Sequence, residues 1–156
     1  MNRAETVKVV LRALNKPISL ANGSDAGFFD VSPSAWYMNY LFTARMMNII
    51  NGYPDGSFKP AKTVNRVELL KIFLEATGTY LPECSYAPYT DTPVAYNNTP
   101  WYLPYACYAK KYTLVDTDQY GNLNPGQPMK RGDVADLFYR YQMQNLFNQI
   151  TNPPRY

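Results

Sequence analysis

The residue types that could do chemistry in this 156-residue chain recur in pairs. Trp36 and Trp101 stand 65 positions apart, as do Arg66 and Arg131, and an Asp precedes each Trp, Asp30 the first and Asp91 the second. An Arg fork can grip a carboxylate through two parallel hydrogen bonds, and an Asp accepts from hydroxyl or amide groups. A Trp face packs on a sugar ring, so the combination suits a carboxylated saccharide. Each residue also has a structural reading, and both stay open at this stage: Arg66 could pair with Glu68 at a helix start, Trp36 could anchor a core, and Asp30 could cap a helix. Gly52 and Gly56 read first as turn residues.

Other chemistries lose ground quickly. The chain has no His, which removes the commonest acid–base group and one usual zinc ligand. Glu5, Glu68 and Asp133 recur at helix starts, where capping explains them, so a carboxylate pair of the glycosidase kind is not indicated and the chain reads as non-enzymatic. Asp116, Asp118, Gly121 and Asn122 suggest a calcium loop, but Tyr120 falls on a ligand position and Gln127 replaces the closing bidentate Glu, so no metal and no cofactor is expected. Cys84 and Cys107 lack metal spacing; they are either two buried thiols or one disulfide in an exported protein.

A net charge of +3 with both signs scattered falls far short of the basic density that phosphate backbones need, which argues against nucleic acid. It is compatible with an acidic polysaccharide. No apolar run approaches the roughly 20 residues that cross a bilayer, so the chain is not membrane-embedded. The 15 Tyr among 46% hydrophobic residues supply amphipathic faces fit for cores and for sugars alike.

The elements that position these residues follow from internal similarity. The segment WYMNYLFTARMMNIINGYPDGSFKPAKTVNRVELLKIFLEA from Trp36 aligns without a gap on WYLPYACYAKKYTLVDTDQYGNLNPGQPMKRGDVADLFYRY from Trp101. A third, partial copy opens the chain, where Arg3 and Glu5 of NRAETVKVVLRAL match Arg66 and Glu68. The chain thus begins inside a repeat, and the parent protein is expected to be longer.

Each copy reads as helix, loop, helix, giving an all-α fold. The first helix is expected from Trp36 to about Ile50, with Asp30 and Ser32-Pro33 supplying its cap and Trp36, Tyr40, Leu41, Ala44, Met47 and Ile50 its apolar face. A turn cluster, NGYPDGSF, follows. The second helix starts near Asn65, with Glu68 completing a capping box, Val64, Val67, Leu69, Leu70, Phe73 and Leu74 inward, and Gly78 at its end. Asn2 and Glu5 repeat that box ahead of Val7, Val10, Leu11 and Leu14, and a third such helix begins near Lys130. Extra residues around Val94 to Pro100 lengthen the second inter-repeat loop.

The run FFDVSPSAWYMNYLFTARMMNIINGYPDGSFKPAKTVNRVELLKIFLEAT, residues 28–77, closely resembles the S-layer homology family. The likeness extends to residues 2–14 as a half repeat and to residues 89–141 as a degenerate one. It implies four stretches: residues 1–20 as the C-terminal half of a first repeat, 21–80 as a second, 81–144 as a third and degenerate repeat, and 145–156 as a tail. It also implies a pseudo-threefold arrangement around a central helical bundle, and a bacterial cell-surface module that binds an anionic, commonly pyruvylated, secondary cell-wall polysaccharide. By the family's motif, Arg3, Arg66 and Arg131 would meet the glycan, Asp30, Trp36, Asp91 and Trp101 would line the groove, and Gly52 would let the sugar approach the backbone. Thr117, Asp118 and Tyr120 replace Gly52, Tyr53 and Asp55 in the later copy, which weakens its groove. The half repeat leaves an apolar face that either packs within the bundle or is covered by a second chain, so self-association through it is a further expectation. The competing function is a structural or protein-interaction module of a surface layer that has lost its glycan.

Overall fold

A computed structural model describes residues 1–23, 25–94 and 99–151. Five helices follow one another: α1 (Arg3–Ala13), α2 (Met38–Met46), α3 (Arg66–Thr77), α4 (Leu103–Lys111) and α5 (Arg131–Thr151), with no strand among the described residues. The all-α expectation holds. The long inter-repeat insertion falls largely on residues 95–98, and the end of the tail on residues 152–156, both outside the described residues.

The second helices start where their caps place them. Asn2 and Asn65 each accept from the amide three residues on, and Glu5 and Glu68 return the bond to the cap amide, so α1 and α3 open on complete capping boxes. Gly78 closes α3 at φ 69°, a left-handed turn that an L side chain resists. At α5 half of the box survives, with Asp133 accepting from the Lys130 amide.

The first helices are shorter than the apolar pattern suggests. The expected helix from Trp36 to Ile50 is α2, Met38–Met46, and its capping residue is Tyr37 without a side-chain bond. Asn48 at φ 57° turns the chain out, and the Ile49 amide bonds back to the Ala44 carbonyl at 2.8 Å. Thr113 and Leu114 end α4 in the same manner. Trp36 is 58% exposed, outside the face buried by Leu41 and Ala44.

Asp30 is correspondingly not a helix cap. Its two carboxylate oxygens accept from the Phe58 and Lys59 amides, each at 2.8 Å, and Asp91 accepts from the Leu123 and Asn124 amides, each at 2.7 Å. Each Asp pins the loop that leads to the second helix of its own copy. Gly52 is required by packing at the same place: a Cβ there would sit 2.6 Å from the Phe28 ring and 2.8 Å from the Ser57 carbonyl.

Three backbone bonds join the segments just ahead of the second helices. The Val64 amide donates to Met1, the Met129 amide to Val64, and the Met1 amino group to Met129, all at 3.0–3.1 Å. These bonds form a closed ring. Beneath it lies one apolar cluster fed by all five helices, with Phe58, Phe73, Leu11, Leu41, Leu70 and Ala106 among its fully buried members. A Cys84–Cys107 disulfide, with Cα atoms 6.3 Å apart, ties the loop after α3 to α4, which decides between the two readings of the cysteines.

Candidate functional site

The cleft best placed to hold a saccharide is built by four separate stretches of chain. Arg3 comes from α1, Asn51 to Pro54 from the loop after α2, Asn65, Glu68 and Lys71 from the start and face of α3, and Trp101 from the approach to α4. The groove encloses about 560 Å³.

Its floor is a buried charge cluster. Glu68 accepts from the Tyr53 hydroxyl at 2.5 Å and from the Asn65 amide at 3.0 Å, and pairs with Arg3 at 3.2 Å and Lys62 at 3.4 Å. Burial pushes the Glu68 carboxyl up, but the Tyr53 hydroxyl, the Asn65 amide and the two cations outweigh it and hold the group below its ordinary value. Arg3 is itself buried. Its Nε donates to the Phe58 carbonyl at 2.9 Å, and its guanidinium lies over the Tyr53 and Phe58 rings at 4.8 and 4.7 Å. The bond to the Tyr53 hydroxyl, more than the pull of Glu68, keeps the Lys62 ammonium charged above its ordinary range.

The rim differs in character. Trp101 is 55% exposed, and Lys71 Nζ lies 5.6 Å from its ring centroid. Three cations, Arg3, Lys62 and Lys71, therefore face a single carboxylate, and the groove is net positive with an open aromatic wall. A sugar ring can pack on that wall while its carboxylate meets ammonium groups at the edge.

The residues expected from sequence are distributed as follows. Arg3, Gly52 and Trp101 meet in this groove. Asp30 and Asp91 hold loop amides, as described above. Arg66 lies at the next junction, where its guanidinium donates to the Leu123 carbonyl at 2.6 Å, the Asp116 carbonyl at 3.1 Å and Gln127 Oε1 at 2.7 Å. Its anticipated pairing with Glu68 is replaced by the Arg3–Glu68 bridge, because Glu68 faces the preceding junction. Arg131 lies on the cleft between α1 and α5. Trp36 sits exposed beside α1, with Lys8 Nζ 5.1 Å from its ring and Arg12 donating to the Tyr40 hydroxyl at 3.0 Å. The Asp118 loop is closed on itself: its carboxylate accepts from the Tyr120 and Asn122 amides and the Asn122 and Asn124 side chains.

Sequence reasoning missed Tyr53, Lys62 and Lys71. A usable signal existed for one of them: Lys8 and Lys71 occupy matching positions of their helices, and each lies over the Trp of the next copy.

Comparison with known proteins points the same way. Residues 27–70 match the S-layer homology domain. Residues 27–70 are an S-layer homology domain. This module is similar to the middle cell wall protein of Brevibacillus brevis, at 32% identity over 80 residues, covering 50% of the chain and 8% of that protein. It is similar to the surface-layer 125 kDa protein of Lysinibacillus sphaericus at 27% identity, covering 90% of the chain and 12% of the relative. A cell wall amidase of Bacillus anthracis shows 27% identity over 69% of the chain and 19% of its own length. The chain thus spans less than a fifth of each of these relatives. Among the described residues no helix is long and apolar enough to cross a membrane.

Proposed function

We propose that the chain is a non-catalytic anchoring module that holds a larger protein on the bacterial cell surface by binding an anionic, pyruvylated secondary cell-wall polysaccharide. The observation that carries this reading is the exposed Trp101 wall under the Lys71 ammonium, opening into a net-positive groove of saccharide size. Trp101 and Lys71 make the sugar contacts, Lys62 assists at the edge, and Arg3 and Gly52 shape the floor. Asp30, Asp91 and Arg66 act one step back by holding the loops, while Trp36 with Lys8 forms a second, shallower contact and Arg131 a peripheral one. Residues 1–20, 21–80 and 81–144 act as a half repeat, a full repeat and a degenerate repeat, and residues 145–156 as a tail. The ring of bonds through Met1, Val64 and Met129 supports their arrangement about a pseudo-threefold axis.

Glu5, Glu68 and Asp133 are accounted for as helix caps, so the chemistry of an amidase-like parent would reside outside this module. One observation favours the competing reading of a surface-layer interaction module without glycan: the guanidinium groups of Arg3 and Arg66 already bond to the protein's own carbonyls and carboxylate. Co-sedimentation with purified sacculi separates the two. The anchoring reading expects the module in the pellet with intact sacculi and in the supernatant once the attached polymer has been stripped; equal sedimentation with both would contradict it.

A further inference from the structure

The loops that follow α1 and α3 are fastened to the next helix by different chemistry. After α1, the Ser19 amide donates to Thr43 Oγ1 and the Ala21 amide to Asn39 Oδ1, each at 2.9 Å, so two hydrogen bonds tie this loop to α2. Neither bond can form after α3. Pro82 stands at the position of Ser19 and has no N–H, and Pro104 stands at the position of Asn39 and offers no side-chain acceptor. The Cys84–Cys107 bridge takes their place: Cys84 matches Ala21, and Cys107 matches Phe42, the neighbour of Thr43 on α2. A covalent bond thus stands where the earlier copy has a hydrogen-bonded clasp.

The helix fastened in this way carries the aromatic wall of the groove. α4 is nine residues long and opens directly after Trp101 and Tyr102. Trp101 meets the Tyr102 and Tyr105 rings edge-on, with centroids 5.6 and 6.3 Å away, and Lys71 lies over its own ring. A helix this short does not hold itself in place, and its tethers set where its first turn lies. Its apolar hold is also the weaker one, since Ala106 stands where α2 buries Leu41. On the α3 side the Tyr105 hydroxyl donates to Glu75 at 2.5 Å, and on the loop side the bridge supplies the tie.

We infer, resting on the saccharide reading of this groove, that the Cys84–Cys107 bridge is a positioning element for Trp101: it holds α4 so that the indole face is set before a sugar arrives, and opening it lowers glycan affinity without unfolding the module. A wall fixed in advance removes an ordering cost from binding. Affinity then follows the thiol–disulfide state. A dithiol reductant attacks the half-buried Cys84 sulfur, Cys107 leaves as a thiolate that takes up a proton, and the reductant's second thiol closes its own disulfide, leaving two protein thiols.

Two measurements on the full chain, bridged and after treatment with dithiothreitol, test this. Trp36→Phe and Trp101→Phe chains each leave one tryptophan as reporter. Opening the bridge should lower the fluorescence anisotropy of Trp101 and leave that of Trp36 and the helical circular dichroism unchanged. In calorimetry with the purified pyruvylated polymer, the opened wild-type chain should bind roughly two- to tenfold more weakly, the cost of ordering one side chain. The Cys84→Ser/Cys107→Ser chain should reproduce both effects without reductant. Unchanged Trp101 anisotropy, unchanged affinity, or a joint fall of both reporters with loss of helix would each overturn the inference. A bridged chain that does not bind the polymer would instead sink the saccharide reading, and the anisotropy of Trp101 would then decide the positioning role alone.

Discussion

At the residue scale, the groove floor and its rim do different work, and substitutions should separate them. Arg3 and Glu68 are buried partners, so replacing one leaves the other unpaired in a dry site, and Arg3→Ala should lower stability by about 3–5 kcal/mol in a denaturant titration. Glu68 also sets an acid limit. Its folded pKa is depressed from 4.5, so its stabilisation is complete above that value and is lost as pH falls through and below it. Thermal melts of wild type and Glu68→Gln should therefore differ near pH 7 and converge progressively as the pH drops below about 4.5. A constant offset down to pH 2 would show that the carboxylate's charge contributes nothing. Arg66 has a holding role at the next junction, where its three bonds fix the loop at Asp116 to Gln127.

At the scale of elements, the second helices were legible because their termini are written in short-range chemistry. Asn2 with Glu5 and Asn65 with Glu68 state a start within four residues, and Asn65→Ala should cost about 1 kcal/mol through loss of that cap, measured by chemical denaturation. The first helices were less legible. Apolar residues continue past Met46 to Ile50, but the left-handed turn at Asn48 sends Ile49 and Ile50 into the core from a loop, and periodicity alone does not distinguish the two routes. Asp30 was misread for a related reason. An Asp ahead of a helix resembles a cap, while the amides it holds lie 28 and 29 residues away in sequence. The Cys84–Cys107 bridge closes a modest loop, and the double Ser variant should lose about 3 kcal/mol with the α3–α4 connection loosening first, visible as faster amide exchange across residues 79–94.

At the scale of the whole molecule, the aligned copies show what recurs but not which copies meet. The all-α architecture and the family were readable from the repeat, whereas the groove was not, because it joins Arg3 of the first segment, Tyr53, Lys62 and Lys71 of the second and Trp101 of the third. The ring of bonds through Met1, Val64 and Met129 makes this interlocking possible by holding the second helices together at their starts. Stability, and on the proposed function ligand binding, is consequently shared across junctions, so loosening one segment should weaken the groove formed with its neighbour.

The central claim is that the Lys71–Trp101 rim holds a carboxylated wall glycan. Titration calorimetry of the folded module with the purified secondary polymer, before and after removal of its pyruvate, tests it most directly. Wild type should bind only the pyruvylated polymer, and Lys71→Ala or Trp101→Ala should each weaken binding roughly ten- to hundredfold, the equivalent of about 1.5–3 kcal/mol, with an unchanged melting curve. Full-strength binding by both folded variants, or equal binding of polymer without pyruvate, would contradict the assignment of this groove.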